Sequence, residues 1–520
     1  MTDHDGPQPT PLQPARMTAR RFDRRTLIAG AAGAVGVAGA GAIAFAASRT
    51  ERDDSPQSAA TATAPAAAQA AVTTQAPALV VSSRQQVANV PDGQALITSP
   101  RLPLFGIGEN DVAGLLNGQT TDWNAVGTPN SLTVIPVALE GNVPEGMTPA
   151  ETFGSYDALA DFLAENPGAV AMAPVSDVDF RANVLSVSGF DPLRDQDGDG
   201  APVRVAFVGD IVPGRNVTAK AQYYGDWVRP FRKIATELQS YDVTIANLEG
   251  NVSPNIPAPT DPHTFSFISD PQFLEGLVFA GIDAVSLANN HSAWNDEEWG
   301  LSAFNDTMAS LESYGIPYFG GGHDLASASA PWVAEIDGVT IAIIGIDGVT
   351  ANPEQTQGVL AGNVGATNDS GGTNPFVTES FTADIAAMTE RYDIVIPYFH
   401  MGVEYVPTPP DWALAGARAA IDAGATMVVT NHPHVIQGME TYGGKPIVYS
   451  VGNFVFDQMF SNEVRTGTVL EIVLQHGKVV GLRPKGVEIV DFHQPRLMSA
   501  GEHASLMDRF WQSADLIARK

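Results

Sequence analysis

The chain contains no cysteine. Disulfides, thiolate nucleophiles, zinc fingers and iron–sulfur clusters are therefore excluded together, and any metal must be held by His, Asp, Glu or Asn. Positive charge is scarce: 28 Lys and Arg face 58 Asp and Glu among 520 residues, a formal charge of −30. A surface of that sign repels phosphate backbones, and no local basic patch offsets it, which argues against nucleic acid as a partner. Charged residues are only 17% of the chain and apolar ones 44%. At about 150 residues per domain the length corresponds to about three domains, enough for a sizeable core, so a small stapled scaffold is also excluded.

The first segment is basic, with Arg16, Arg20, Arg21, Arg24 and Arg25, and an uncharged Ala/Gly/Val/Ile run follows from Thr26 to Ser48. Arg24-Arg25-Thr26-Leu27-Ile28 resembles a twin-arginine signature, and Ala44-Phe45-Ala46 would suit a signal peptidase. The run also reaches the roughly 20 residues that span a bilayer, so residues 1–48 read as a twin-arginine-type signal or an N-terminal anchor. Either reading places the rest of the chain outside the cytoplasm of a bacterium, exported to the cell surface or anchored to the membrane. Removing the first 47 residues, with five Arg and three Asp, leaves a charge of −32. Residues 49–80 are rich in Ala, Thr and Pro, have few large apolar side chains to offset ordering entropy, and read as a flexible linker.

Residues 81–190 return to a globular pattern. Leu159, Phe162 and Leu163 fall at helical spacing after Ser155, and Ala169 to Val175 is a short apolar strand. Leu115 to Gly127 together with Ser155 to Pro174 resembles part of a phosphate-type periplasmic substrate-binding protein. That resemblance implies a small α/β domain, one lobe of such a fold, acting as a ligand-binding or docking module; a plain spacer is the other reading. The acidic stretch at 191–202 alternates carboxylates (Asp195, Asp197, Asp199) as calcium loops do. Its twelfth position is Ala206 where a calcium loop needs Glu, so it reads as a solvated linker.

From Val203 to about residue 495, apolar β-type runs alternate with helical stretches: 203–208, 242–246, 283–288, 340–346, 393–399, 426–430 and 446–451. Helical spacing closed by Gly marks 271–281 and 411–424. Continuous apolar strands between helices mean strands buried on both faces, an α/β body. Residues 496–520, with Leu506, Met507, Phe510 and Trp511 at helical spacing, form a packing helix. A polar cluster follows nearly every strand: Gly209-Asp210, Asn247-Leu248-Glu249, Asn289-Asn290-His291, His400-Met401-Gly402-Val403-Glu404, Asn431-His432-Pro433-His434 and Gly452-Asn453-Phe454. In α/β sheets ligands bind beyond the strand carboxyl ends, so these side chains should converge. Each alone has a bland reading as a cap, a surface acid or a core histidine. His432 and His434 differ, because period-two spacing in an extended segment aims both imidazoles the same way, as ligation of one metal requires. Four of the ten histidines lie at strand ends of this body. Imidazole with carboxylate suits a divalent metal such as Mn, Fe or Zn, one or two ions.

The ordered segments VAFVGDIVPGR (205–215), ANLEGNVS (246–253), FAGIDAVSLANNHSAWN (279–295), HMGVEY (400–405) and NHPHVIQGMETYGGKPIVYSVGNFVFD (431–457) resemble the CapA, or poly-γ-glutamate capsule biosynthesis, family. The resemblance runs from about Val203 to Gln458, half the chain. It implies kinship with calcineurin-like metallophosphoesterases: a two-sheet α/β sandwich with a dinuclear metal centre, here preceded by the small substrate-binding-protein-like domain. By motif it implies Asp210 and His434 on a first metal, Glu249 as bridge, and Asn290, His400 and His432 on a second. His291 would protonate the leaving group or steady the transition state, and Arg215 would meet an anionic substrate group. Two departures stand out. Val212 occupies the place of the histidine in the phosphoesterase D-x-H opening, leaving the first metal a ligand short, and the family's HWG is His400-Met401-Gly402.

A bound divalent metal would lower the pKa of water toward about 7 for attack on phosphorus or a carbonyl, so phosphoester hydrolysis is the reaction such a site supports. The resemblance also implies assistance to a membrane synthase in making or exporting poly-γ-glutamate, with the chain as a non-catalytic polymer-binding or accessory scaffold. Its partners would then be an anionic polymer, or in the first reading a phosphoester, together with the synthase complex. A purely structural wall protein must treat the strand-end clusters as accident.

Overall fold

The computed structural model describes residues 90–195, 201–259, 261, 263–293, 296–352 and 364–520. The expected signal or anchor, the Ala/Thr/Pro-rich linker and most of the Asp/Gly turn lie outside the described residues. Among the described residues no helix is long and apolar enough to cross a membrane.

The first sheet is small. Strands β1 (Gln94–Thr98), β2 (Ile135–Leu139), β3 (Glu151–Phe153), β4 (Ala169–Pro174) and β5 (Asn183–Val184) lie in the order β3-β2-β4-β1-β5. Helix α1 (Tyr156–Glu165) starts where Ser155 caps it, the hydroxyl accepting from the Ala158 amide at 3.3 Å. That satisfies one of the donors a helix start leaves open. Leu159 and Leu163 are fully buried on its inner face.

Two larger sheets carry the rest. The first contains β6 (Val203–Ile211), β7 (Val243–Leu248), β8 (Ala284–Ser286), β9 (Tyr318–Phe319), β16 (Asn453–Val455), β17 (Thr466–Gln475), β18 (Lys478–Val490) and β19 (Gln494–Leu497). Its order is β9-β8-β7-β6-β17-β18-β19, with β16 beside the end of β6. The second contains β10 (Trp332–Ile336), β11 (Val339–Asp347), β12 (Ile394–His400), β13 (Val428–Asn431), β14 (Ile436–Tyr442) and β15 (Lys445–Val451), in the order β10-β11-β12-β13-β15-β14. Strands β6 to β9 are parallel, as are β11, β12, β13 and β15.

Alternation along these strands explains the layers. Val205 and Phe207, Ile343, Ile394, Ile396 and Val429 point into a shared core between the two sheets. Their neighbours Ala206, Val208 and Leu248 pack beneath α2 (Leu274–Ala280), while Val395, Phe399 and Val428 pack beneath α3 (Thr378–Thr389) and α4 (Asp411–Asp422). Every residue of β6 and β12 is buried, as strands covered on both faces require. This is the expected two-sheet α/β sandwich with helices outside. The last helix, α5 (Ala500–Ile517), buries Leu506, Met507 and Phe510 in the shared core. It lies so close to β14 that a Cβ on Gly438 would stand 2.3 Å from the Ala514 amide nitrogen.

The small sheet is fastened to the large one by buried charge. Arg483 on β18 pairs with Asp191 and donates to the Val184 carbonyl at 2.9 Å, and Arg483 and Asp191 are both buried. Of the 191–202 stretch, expected to be a solvated linker, Asp191, Pro192 and Leu193 are instead buried, because Asp191 pairs with Arg483 and Leu193 joins the small sheet's core, while the less buried Asp195 pairs with Arg194.

Candidate metal centre

Strand register brings the polar residues together. Across the second sheet Asp347 pairs with His400 and His400 with Asn431, so the carboxyl ends of β11, β12 and β13 are level. Across the first sheet Asn453 pairs with Asp210 and Asp210 with Asn247. The sequence reading puts Asp210 just past its strand, whereas β6 continues to Ile211 because β16 pairs with its last residues. Gly209 permits this, since a Cβ there would stand 2.0 Å from the Gly452 carbonyl oxygen.

His432 and His434 do not lie on extended backbone as the spacing predicts. Their φ angles are +106° and +57°, the left-handed region, in a turn after β13. The rings still face one centre, with centroids 5.9 Å apart. Non-glycine residues held at such angles cost of order 1–3 kcal/mol each and persist where the surroundings fix them, often at functional sites.

The structure gathers Asp210, Glu249, Asn290, His400, His432 and His434 into one buried cluster. His400 Nε2 lies 2.7 Å from Asn290 Oδ1, 3.2 Å from His432 Nδ1 and 3.4 Å from Glu249 Oε1. His434 Nδ1 lies 2.9 Å from Asn453 Oδ1 and 3.3 Å from Asp210 Oδ2, with its Nε2 3.7 Å from Glu249 Oε1. Ligand atoms of Asp210, Glu249 and His434 fall within 4.8 Å of one another, as do those of Glu249, His400 and His432, so Glu249 belongs to both groups.

Asp210 and Glu249 are fully buried. Among the described residues no well-formed hydrogen bond reaches Asp210 Oδ2 or either oxygen of Glu249. An ionised carboxylate without partners in a low-dielectric interior costs several kcal/mol, and a cation between the two carboxylates removes that penalty. The donor set, two carboxylates with imidazoles and an amide oxygen, fits a divalent metal.

The electrostatics agree. Burial pushes Glu249 above the usual carboxylate range, and the adjacent Asp210 charge pushes it further. Burial acts the same way on Asp210, but the His434 imidazole beside its Oδ2 and the His400 charge outweigh it and hold that carboxyl low. Burial opposes charge on His434, yet Glu249 and Asp210 raise it to about 10. Burial and the neighbouring His400 and His434 charges push His432 well below its ordinary value. The two acids thus demand positive charge at the centre, which a bound cation would supply while leaving His434 neutral for ligation.

His291 belongs to the same cluster. It is buried, its ring lies tilted against Phe267 with centroids 4.5 Å apart, and burial followed by the His434 and His400 charges lowers it to about 3. Its Nδ1 has no partner among the described residues. Held neutral, with the ring bonded to the Phe265 backbone, His291 offers a lone pair rather than a proton at that nitrogen. Arg215 is engaged: its guanidinium pairs with Asp457, with Nε at 3.1 Å, and lies 5.3 Å from both the Phe267 and Phe456 rings. An anion approaching Arg215 competes with that carboxylate. Beside Arg215 opens a cavity of about 730 Å³ with Asn216, Gln222, Asn255 and Asp270 on its walls. Val212, where a further ligand is expected, is buried with Phe267 and Phe456.

Several residues have functions that sequence alone does not assign. The Asn247 amide donates to Asp210 Oδ1 at 2.7 Å and meets His400 Nδ1 at 3.1 Å, joining the two sheets. Asn431 donates to the same Asp210 oxygen at 2.5 Å, and Asn289 donates to Asn247 Oδ1 at 3.0 Å. All sit in the strand-end clusters, which was their only signal. Asp457, 242 residues from Arg215, closes the last quoted segment, but nothing in the sequence pointed it to Arg215.

Residues 204–458 match the family model described as bacterial capsule synthesis protein PGA_cap. The PGA biosynthesis protein CapA of Bacillus subtilis (strain 168) is 28% identical over 295 residues, 56% of this chain and 71% of that protein. The capsule biosynthesis protein CapA of Bacillus anthracis is 28% identical over 270 residues, 49% of this chain and 60% of that protein. Among solved structures, the calcineurin-like phosphoesterase YfkN from Bacillus subtilis is similar with a TM-score of 0.33 at 13% identity, covering 61% of this chain and 99% of that one.

Proposed function

Since residues 204–458 belong to the bacterial capsule synthesis protein PGA_cap family, we propose that the chain acts in making or exporting a poly-γ-glutamate surface polymer, as a metal-dependent hydrolase. The observation that carries the metal is a set of three buried carboxylate oxygens, Asp210 Oδ2 and both of Glu249, left without hydrogen bonds beside His400 and His434. Asp210, Glu249, Asn290, His400, His432 and His434 would hold it, and a bound divalent ion supplies Lewis-acid polarisation and acidified water.

The chain's own residues do the rest. Asn247 and Asn431 fix the Asp210 carboxylate, and Asn453 fixes the His434 ring. His291 Nδ1 is placed to accept or relay a proton, and the Phe267–Phe456 wall with Arg215 closes one side. The substrate is a phosphoester or a γ-glutamyl bond of the polymer. We place this body outside the cytoplasm; a reporter fused to residues 1–60 should lose export when Arg24→Lys and Arg25→Lys are combined, and unaffected export rejects the twin-arginine route.

Metal content by mass spectrometry on the purified full chain, wild type beside His432→Ala and His434→Ala, tests the central claim. Stoichiometric Mn, Fe or Zn in the wild type and its loss in both variants is the expected result, followed by turnover in a phosphoester and γ-glutamyl screen. Absence of metal after reconstitution refutes the hydrolase. Bound metal without turnover favours the accessory, polymer-binding role instead.

A further inference from the structure

Within the HMGVEY segment, a third carboxylate, to which the motifs assign no role, reaches the cluster. A Glu404 carboxylate oxygen and one ring nitrogen each of His432 and His434 lie within 4.8 Å of one another. Unlike Asp210 and Glu249, Glu404 is exposed. An exposed glutamate is ordinarily just solvated, so what matters is how this one is presented.

Its loop is pinned to the histidine turn at both ends. The Met401 amide donates to the Asn431 carbonyl at 2.9 Å, and the Tyr405 amide donates to the Pro433 carbonyl at 2.8 Å. Gly402, at φ +126°, lets the loop cross Pro433, where a Cβ would stand 3.2 Å from Pro433 Cγ. Tyr405 is left-handed too, at φ +63°, so strained backbone follows Glu404 directly. The Tyr405 ring stands 6.1 Å from that of His434, and its hydroxyl accepts from Gln458 Nε2 at 2.8 Å. Gln458 thus holds Tyr405, the residue next to Glu404, against the histidine turn. A carboxylate merely solvated at the surface needs none of this scaffolding.

We propose that Glu404 is a metal ligand on the solvent side of the centre, restoring the ligand count that Val212 at the D-x-H position removes, with Tyr405 as its positioning residue. The inference rests on the metal-centre reading above. Glu404 would hold the ion with His432 and His434 from the exposed side of the cluster, while Asp210 and Glu249 would hold it from the buried side.

The test uses the full chain, stripped with chelator and titrated with Co²⁺, followed by bound-metal analysis and by the visible d–d absorption of the ion. Wild type, Glu404→Gln, Glu404→Asp and His434→Ala are compared. Glu404→Gln should weaken Co²⁺ binding at least about tenfold and shift the d–d band, since even outer partners of metal ligands are worth 10–100-fold. Glu404→Asp should recover part of both effects. Because Glu404 is exposed, the metal-stripped Glu404→Gln protein should melt with wild type, which separates ligation from folding. Wild-type affinity and spectrum in Glu404→Gln, with metal lost in His434→Ala, overturns the role of Glu404 and leaves the centre standing. Absence of Co²⁺ binding by wild type overturns both.

Discussion

Glu471 should be the most stabilising single carboxylate outside the metal centre. Its side chain, 1% exposed in β17, lies 2.8 Å from Arg204 Nε, 2.9 Å from Lys485 Nζ and 3.9 Å from an Arg483 nitrogen. Burial alone would raise its pKa, but Lys485, Arg483 and Arg204 together hold it at about 2, against 4.5 in the unfolded chain. At about 1.4 kcal/mol per pKa unit that difference is worth about 3 kcal/mol. Because the folded value is the lower one, the stabilisation is complete above the unfolded value of 4.5 and is lost as pH falls toward about 2. Glu471→Gln removes it and leaves Arg483 buried with only Asp191 for compensation, so about 3 kcal/mol is the smaller bound. For the 434 residues from Val87 to Lys520, an unfolding entropy of about 2.1 cal/mol/K per residue makes this a drop of about 3–4 °C. Thermal melts of both proteins in chelator, followed by circular dichroism from pH 7 to 2.5, should show that gap at neutral pH. Below pH 4.5 it should narrow. Equal melting at pH 7, or a gap constant down to pH 2.5, refutes the reasoning.

Three further outcomes are expected. Gly209→Ala sets a Cβ 2.0 Å from the Gly452 carbonyl oxygen, so β16 must separate from β6; a loss of about 1–3 kcal/mol in denaturant unfolding, with weakened metal uptake, is the result to look for. Asn453→Ala removes the partner of His434 Nδ1 and should weaken metal binding about 10–100-fold in equilibrium dialysis, and unchanged affinity would show that the ring is held by other means. Saturating Mn²⁺ at about 100 times its dissociation constant should add about 2.7 kcal/mol, raising the melting temperature by about 3 °C over the chelated protein, and His434→Ala should show no such rise.

Much of this protein is legible along the chain. The strands beginning at Val203, Val243, Val339, Ile394, Val428 and Lys445 announce themselves as continuous apolar runs, because burial on both faces leaves no polar alternation to obscure them. Ser155 marks a helix start, and Gly281, at φ +78°, marks a helix end, since these local signals depend only on nearby backbone. Residues clustered at strand ends point to one edge of a sheet before any coordinates exist.

Contacts across the sandwich were decided by tertiary structure alone. The sequence spacing assigned His432 and His434 to extended backbone, while the fold bends them into a left-handed turn, because β12 and β13 end level and the chain must turn toward the other sheet. It offered Arg215 to an anion, but Asp457, 242 residues away, reaches the guanidinium first. Asn247, Asn431 and Asn453 look alike in the sequence; only the register that lines Asn453, Asp210 and Asn247 across one sheet and His400 with Asn431 across the other gives each a partner. Composition and period are properties of neighbours in the chain and survive in the sequence. Pairing between distant carboxylates, imidazoles and amides is a property of how two sheets close on one another, and exists only once they have closed.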